Sequence, residues 1–508
     1  MSEQHKIQKK MVGAAKWSFF GECASKLIVP FTNMILARIL EPQHFGVLSI
    51  VVMITNFADL FTDAGFQKYL IQHSFKNNEE LHEYASVAFW TNMGITMLVW
   101  SIIFVIAKPL SMMLGKPGYQ WVIRVGSTKL FLTAFTSVQR AIYQRAFDYK
   151  TLSWVRIVVA MIPIVITIPL ALMGFLYWSL IIGTLASEFV YALILTAKSE
   201  WKPGRYYSLN KLKKMFSFSI WSLVEQFTIW VACYADTLIL SVFLSDYMVG
   251  MYKQPESMIS SVFNIFAATF FTILFSALSR MNDVKDENGF WEIVFKTQLM
   301  SAIIIFPLSA GIYLYRELVT NIILGAQWKM AIDVVGFMAL STGLQTVMNS
   351  TASEIYRAKG EPKVSVVAQI LYILCLIPLS VIGILQGFEI FVKIRAFISA
   401  IFMLIHYSII RFRYKISFDK VLKNIKYPLI ATIVMSVCVW MVQRVAKTNL
   451  LVSAAGIPFG VIIYILVVCY FKPVRQIIYG IITKFSENGT FSSALVGVKK
   501  ILNFYEKW

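Results

Sequence analysis

Long apolar runs separated by short polar stretches recur along the whole chain. A helix needs roughly 20 largely apolar residues to cross a hydrocarbon layer about 30 Å thick, and on that length the runs predict about fourteen membrane-spanning helices. The first six fall over 14–37, 45–70, 85–107, 119–142, 152–173 and 176–197. Six more fall over 215–243, 248–278, 291–314, 332–356, 363–386 and 388–410, with Gln386-Gly387 as a short turn between the last two. A final pair covers 427–445 and 449–471.

The connections alternate in charge. One set is rich in basic residues: Lys9-Lys10, Lys68 and Lys76, Arg140 to Lys150, Lys198 to Lys214, Arg280 and Lys285, Arg357 to Lys363, Arg411 to Lys426, and the stretch from Lys472 onward. The other set carries Arg38, Lys108, Lys116, Arg316, Lys329, Arg444, Lys447 and little else. Basic residues accumulate in cytoplasmic loops, so the first set is expected inside and both termini with it, which requires an even number of spans. No connection is long enough for an extramembrane domain. The tail after Lys472 reads as a basic amphipathic helix on the inner surface.

Composition agrees. The 508 residues are 58% hydrophobic and 15% charged, with a mean hydropathy of +0.67; a soluble domain is about 45–50% apolar and about 25% charged. A soluble globular protein, a disordered chain and a secreted disulfide scaffold are excluded. The formal charge of +20 would suggest nucleic acid in a soluble protein; here cytoplasmic loops facing anionic lipid account for it, and no nucleic-acid partner is expected. The five cysteines (Cys23, Cys233, Cys375, Cys438, Cys469) lie in apolar stretches without a CxxC motif and read as buried thiols. The histidines are scattered, so no metal site is expected. No Walker motif or dinucleotide fingerprint appears, and no cofactor is expected. Trp17, Tyr119, Trp121, Tyr177, Trp178, Trp201 and Trp328 lie near span ends, as an interfacial aromatic belt requires. The polar, basic segment before the first run lacks a cleavage site, so the first span is expected to remain as an anchor.

Two segments look alike at an offset of about 212 residues, a period too long to be clean at sequence level. Tyr143-Gln-Arg145-Ala146 ends the fourth span and Tyr356-Arg357-Ala358 ends the tenth, each followed by a lysine. Glu22 and Glu225 lie within the first and seventh spans, followed by Gly46 and Gly250. The expected fold is therefore an all-α polytopic membrane protein of two pseudo-symmetric six-helix lobes around a central cavity, plus two C-terminal helices. Residues 1–210 form the first lobe, 211–415 the second, 416–472 the extra pair and 473–508 a cytoplasmic tail. Transporters built from parallel repeats bind substrate between them near the midplane.

An ionisable residue at the midplane costs about 2.5–3.5 kcal/mol on insertion scales, so it faces protein, water or a partner. Candidates are Glu22 and Lys26, one turn apart in the first span; Arg124 and Lys129 in the fourth; Glu188 in the sixth; Glu225 and Asp236 in the seventh; Lys253 and Glu256 in the eighth; and Lys393 and Arg395 in the twelfth. One reading is a wet, net cationic cavity suited to a phosphate or an acidic sugar. The other is structural: Glu22–Lys26 and Lys253–Glu256 as closed pairs between helices, with Arg124, Lys393 and Arg395 snorkelling to the outer surface. Asp59 and Asp63 read as residues near a helix terminus.

The run Leu36-Ala37-Arg38-Ile39-Leu40-Glu41-Pro42-Gln43-His44-Phe45-Gly46 resembles the signature between the first two spans of polysaccharide transporters. These are the O-antigen and teichoic-acid exporters (Wzx-type flippases) of the multidrug/oligosaccharidyl-lipid/polysaccharide exporter superfamily. Phe57-Ala58-Asp59-Leu60, Asp63-Ala64-Gly65-Phe66, the segment from Val138 to Lys150, and Ala235-Asp236-Thr237-Leu238-Ile239-Leu240 followed by Gly250-Met251-Tyr252 extend the likeness over nearly the whole chain. The resemblance implies two six-helix lobes with alternating access. It also implies transport of undecaprenyl-pyrophosphate-linked oligosaccharides from the cytoplasmic to the outer leaflet of the bacterial inner membrane. It carries the expectation of a polysaccharide polymerase and chain-length machinery as partners beside membrane lipids. Lys26, Lys129 and Lys253, then Arg124 and Arg395, are the candidate head-group contacts; Glu22, Glu225, Asp236, Glu256 and Lys393 are candidates for charge pairing or coupling.

The lipid II flippase branch resembles this chain but has a sodium site of an acidic residue in the seventh span and polar ligands in the eleventh and twelfth. Asp236 matches the first. The eleventh span here offers Gln369 without a carboxylate and the twelfth offers Lys393, so Lys393 is expected to replace sodium as the internal cation. Rival readings are a cation-coupled multidrug exporter of the same fold, which favours an acidic cavity, and a membrane-embedded polyprenyl-glycan enzyme, which needs a large extracytoplasmic loop. Neither requirement is met, and the protein is not expected to be an enzyme.

Overall fold

The computed structural model describes residues 17, 21, 24–62, 66–446 and 450–476, and over these the chain is helical without a β-strand. Helix α1 covers residues 24–39. It is followed by α2 (Pro42–Thr62), α3 (Phe66–Gln72), α4 (Asn78–Met113), α5 (Gln120–Gly126) and α6 (Lys129–Arg145). Next come α7 (Tyr149–Ile162), which runs through a π-helical turn (Pro163–Thr167) into α8 (Ile168–Leu172), and then α9 (Tyr177–Lys198), α10 (Leu209–Phe243) and α11 (Asp246–Asp283). The remainder is α12 (Glu287–Leu314), α13 (Arg316–Ile323), a 3-10 segment (Ala326–Ala331), and α14 (Ile332–Leu344) leading through a second π turn (Gln345–Asn349) to α15 (Ser350–Ala358). The chain ends in α16 (Pro362–Leu385), α17 (Phe388–Tyr414), α18 (Phe418–Ala446) and α19 (Leu450–Tyr470).

Each predicted span is mostly helical over the residues described. Among them, nine helices are long and apolar enough to cross a membrane by length and composition. The protein is thus an all-α polytopic membrane protein. Predicted spans outside that count include the fourth, which breaks at Ser127-Thr128 into α5 and α6, and the twelfth, α17, which carries several charges. Helix starts follow local chemistry. Asn77 accepts the Glu80 amide at 2.8 Å to cap α4, Asp148 accepts the Thr151 amide at 3.1 Å to cap α7, and Asp286 accepts the Gly289 amide at 2.9 Å to cap α12. Gly387 separates α16 from α17 with a φ of +116°, a conformation that excludes most L side chains.

The chain divides into two compact units. Unit 1 holds residues 1–261, 321–331 and 373–391; unit 2 holds 262–320, 332–372 and 392–508. In unit 1, Phe66, Leu70, Tyr84, Phe89, Val138 and Trp201 form a core joining α3, α4 and α6 to the loop after α9. A second core joins α2, α4, α5 and α6 through Ile50, Met53, Ile103, Ile123 and Leu130. In unit 2, Leu299 on α12 packs with Met435 and Val439 on α18 and Tyr464 and Val468 on α19.

Two expectations need correction. Trp201 and Trp328 are 2% and 0% exposed and so are not belt residues. Trp328 donates its indole N–H to the Ala37 carbonyl at 2.8 Å, so its polar edge is satisfied inside the protein instead of at a lipid headgroup. Nor are the cysteines uniformly buried: Cys469 is, but Cys233 is exposed. An apolar helix turns one face to lipid as readily as another to protein, so hydropathy cannot distinguish them. Cys23 and the tail beyond residue 476 lie outside the described residues.

Candidate functional site

The charges inside apolar helices of unit 1 fall into two groups. The first forms where α5 gives way to α6. Lys129 is the first residue of α6, at the positive end of the helix dipole, where a cation is disfavoured. Glu188 on α9 supplies the countercharge, with Lys129 Nζ 3.9 Å from Glu188 Oε1 and side-chain exposures of 18% and 29%. That separation exceeds hydrogen-bond length, so the pair is loose and partly wet. One turn on, Thr133 donates to Asp59 Oδ1 on α2 at 3.0 Å. Glu188 also lies in the field of Asp59 and Arg140, and Tyr191 in that of Arg140, Arg156 and Glu188. Arg140 and Arg156 are exposed, and Arg140 Nη2 donates to Gln67 Oε1 at 3.0 Å. Helices α2, α6, α7 and α9 therefore carry a mixed-charge group in which Lys129, Arg140 and Arg156 outnumber Asp59 and Glu188.

The second group lies on α10 and α11. Asp236 is fully buried and its Oδ2 accepts from the Tyr252 hydroxyl at 3.4 Å. Lys253 closes tightly on Glu256, one turn along α11. Lys253 also feels Asp236 and Tyr234, and the Asn56 amide of α2 donates to the Tyr234 hydroxyl. Lys253, Glu256 and Asp236 are thus brought together, in a closed arrangement unlike the loose Lys129–Glu188 pair.

The other candidates are placed as follows. Lys26 is half-buried on α1. Arg124 stacks over Phe104 at 4.4 Å and Trp121 at 4.9 Å and donates from Nε to the Phe104 carbonyl at 3.0 Å, which ties α5 to α4. In unit 2, Arg395 is 7% exposed while Lys393 is exposed. Glu22 and the Glu225 side chain lie outside the described residues.

Sequence reasoning aimed at charges passed over a neutral polar cluster in unit 2. Ser341 and Ser399 hydroxyls lie 2.5 Å apart, and Gln345 donates from Nε2 to Ser399 Oγ at 2.8 Å. Ser399 is one turn beyond Arg395 on α17. Nearby, Gln298 donates to the Tyr407 hydroxyl at 2.5 Å. A signal was present: Ser341, Gln345 and Asn349 recur at every fourth residue, the spacing of one helix face. Unit 1 also carries an apolar groove of about 480 Å³ between α2, α4 and α10, lined by Met53, Phe57, Phe61, Ile102, Ile106 and Trp230 among others.

Comparison with known proteins places the chain in a family. Residues 35–333 match the model of a family described as polysaccharide biosynthesis protein. The succinoglycan biosynthesis transport protein ExoT of Rhizobium meliloti is 24% identical over 330 residues, covering 65% of this chain and 66% of ExoT. The lipopolysaccharide biosynthesis protein WzxC of Escherichia coli is 21% identical over 379 residues, 74% of this chain and 76% of WzxC. Among solved structures, the lipid II flippase MurJ in an inward closed conformation superposes with a TM-score of 0.71 at 14% identity, covering 90% of this chain and 98% of MurJ; that likeness concerns the fold. The family match spans more than half of the chain, and the chain belongs to the polysaccharide biosynthesis protein family of Wzx-type membrane transporters.

Proposed function

We propose that the protein is a flippase that moves undecaprenyl-pyrophosphate-linked oligosaccharides from the cytoplasmic to the outer leaflet of the bacterial inner membrane by alternating access. It serves surface polysaccharide synthesis as a transporter and not as an enzyme. A pyrophosphate and a hydrated glycan cannot cross about 30 Å of hydrocarbon unaided. The observation that carries the reading is Lys129: a partly wet ammonium at a helix break inside an apolar segment, held only loosely by Glu188. A diphosphate can displace a carboxylate that makes no hydrogen bond and take up the ammonium's donors.

Lys129, with Arg140 and Arg156 near it, is the favoured head-group contact. Lys26 and the buried Arg395 remain candidates beside it. Lys253 is better read as held by Glu256 and Asp236, and Arg124 as a strut between α4 and α5. Glu22, Glu225 and Lys393 keep a proposed part in charge pairing. The apolar groove on α2, α4 and α10 suits a hydrocarbon chain while the head group crosses. In this reading the basic connections and both termini face the cytoplasm, two six-helix lobes (1–210 and 211–415) carry the cycle, and a polymerase with its chain-length machinery receives the product.

The test measures the leaflet distribution of lipid-linked oligosaccharide in membrane vesicles with and without the protein, beside a Lys129→Ala variant. Outer-leaflet glycan that depends on the protein and falls with the variant supports both function and site. Translocation unaffected by the variant removes the site and keeps the function. No translocation of the native glycan lipid by folded protein removes the function.

A further inference from the structure

Within unit 1, four segments from distant parts of the sequence are bound together, and all belong to the sparsely basic set of connections: residues 37–46, 114–119, 244–250 and 321–331. Asp246 is the hub. It is the first residue of α11, where the helix dipole favours a carboxylate. It receives the Lys116 ammonium at 2.8 Å and the Tyr119 hydroxyl at 2.5 Å. Lys116 also donates to the Leu244 carbonyl at 2.8 Å. Gly46, at the start of α2, lies against the Asp246 backbone carbonyl, and Gly250 lies against that of Pro42.

Segment 321–331 forms a strap over the end of α1. The last carbonyls of a helix lack intrahelical donors, and the strap supplies them: Gln327 Nε2 donates to the Ala37 carbonyl at 2.5 Å and the Leu40 carbonyl at 3.0 Å, and Trp328 Nε1 to Ala37 at 2.8 Å. In return, Arg38 Nη2 donates to the Ile322 carbonyl at 2.7 Å. The Trp328 ring meets Phe45 edge-on, with centroids 5.7 Å apart.

The composition of this joint suits separation. Its polar bonds run from side chains to carbonyls and one carboxylate at the ends of helices, where water can take the place of either partner. The closest approach, Gly46 to Gly250, is backbone against backbone, so α2 and α11 can part there without repacking side chains, and Trp328 against Phe45 is the packed contact that must separate with the strap. Every bond joins a segment of the first repeat to one of the second. We propose that this joint is the latch that keeps the sparsely basic end of the protein closed, and that it parts in each cycle to release cargo on that side. The proposal rests on the flippase reading.

The test uses full-length protein in membrane vesicles that contain the host's own lipid-linked oligosaccharides. Cysteines replace Lys116 and Asp246 in a background without native cysteines and are joined by a reducible thiol crosslinker about as long as the native pair. Joining them is expected to lower translocation at least tenfold, and reduction to restore it. Joined protein that translocates at the reduced rate overturns the latch. Because these substitutions remove the ion pair itself, spin labels at exposed Pro117 and Tyr247, with Lys116 and Asp246 intact, provide a second reading. A long-distance population is expected with the glycolipid and is enlarged by Asp246→Asn; one narrow distance under all these conditions overturns the latch. Labels that part in protein that translocates nothing leave the latch standing and remove the flippase function instead.

Discussion

Gly46 and Gly250 meet in a reciprocal contact: a Cβ on Gly46 would overlap the carbonyl of Asp246, and one on Gly250 would overlap the carbonyl of Pro42. Each carbonyl belongs to the residue four before the opposing glycine, at the first residue of α11 and α2. The segments around Gly46 and Gly250, which the sequence pairs as corresponding positions, are therefore packed on each other. Their glycines serve close backbone approach, and the carboxylate beside them receives Lys116 and Tyr119.

Substituting either glycine forces two backbones apart. Gly46→Leu and Gly250→Leu are each expected to cost at least the 1–3 kcal/mol or so of an overpacked core, read as a lower unfolding temperature in detergent. Gly94→Ala on α4, where a new Cβ meets nothing within 4 Å, is the control and should be neutral or slightly stabilising.

Lys129 and Glu188 can be separated into a structural and a binding part. Lys129→Ala is expected to reduce translocation on the order of tenfold, which corresponds to about 1.4 kcal/mol. Adding Glu188→Gln removes the stranded carboxylate and should recover thermal stability without recovering transport. A double variant that regains transport would make the pair a structural one.

Lys253 and Glu256 are expected to behave as a closed pair. Lys253→Met alone takes the cation from the carboxylates of Glu256 and the buried Asp236 and should destabilise by about 3–5 kcal/mol, whereas adding Glu256→Leu should recover only part of that loss, because the Lys253 charge is still missing beside Asp236. A double-mutant cycle followed by thermal unfolding measures the coupling, and a coupling near zero would show that the pair contributes nothing to the fold.

Outside the spans, Glu361 between α15 and α16 accepts from Arg413 Nη2 at 3.0 Å and from the Tyr414 hydroxyl at 2.9 Å. The Arg413 guanidinium holds the carboxyl below its ordinary value of 4.5, against burial, with Tyr414 adding to the effect. A carboxyl lowered on folding stabilises fully above its unfolded value and loses that contribution as pH falls through the lowered one. The advantage of wild type over Glu361→Gln in thermal unfolding should therefore be constant above about pH 5 and shrink below pH 4.5. An advantage that grows on acidification would contradict the assignment.

By itself the sequence determined the class of the molecule and the helices it is made of. Hydrocarbon thickness sets a minimum apolar length, so the runs of α4, α9, α12 and α16 announce themselves; the polar first turns that Asn77 and Asp286 cap lie ahead of the apolar runs at 85 and 291 and came only from the structure. The sequence also revealed which residues are costly to bury, and so pointed to Lys129, Asp236 and Lys253. Tertiary structure decided which of those charges meet. Glu188 lies 59 residues beyond Lys129, and no periodicity within either helix says that α6 and α9 are neighbours. It also decided that Trp328, which hydropathy assigns to the lipid interface, is buried against Phe45 and the end of α1, and that Asp246, which reads as an ordinary loop acid, gathers Lys116 and Tyr119 from 127 or more residues away. Hydropathy is a property of one helix against its solvent. Which polar group satisfies which depends on the helix packed beside it, and that is fixed only when the chain folds.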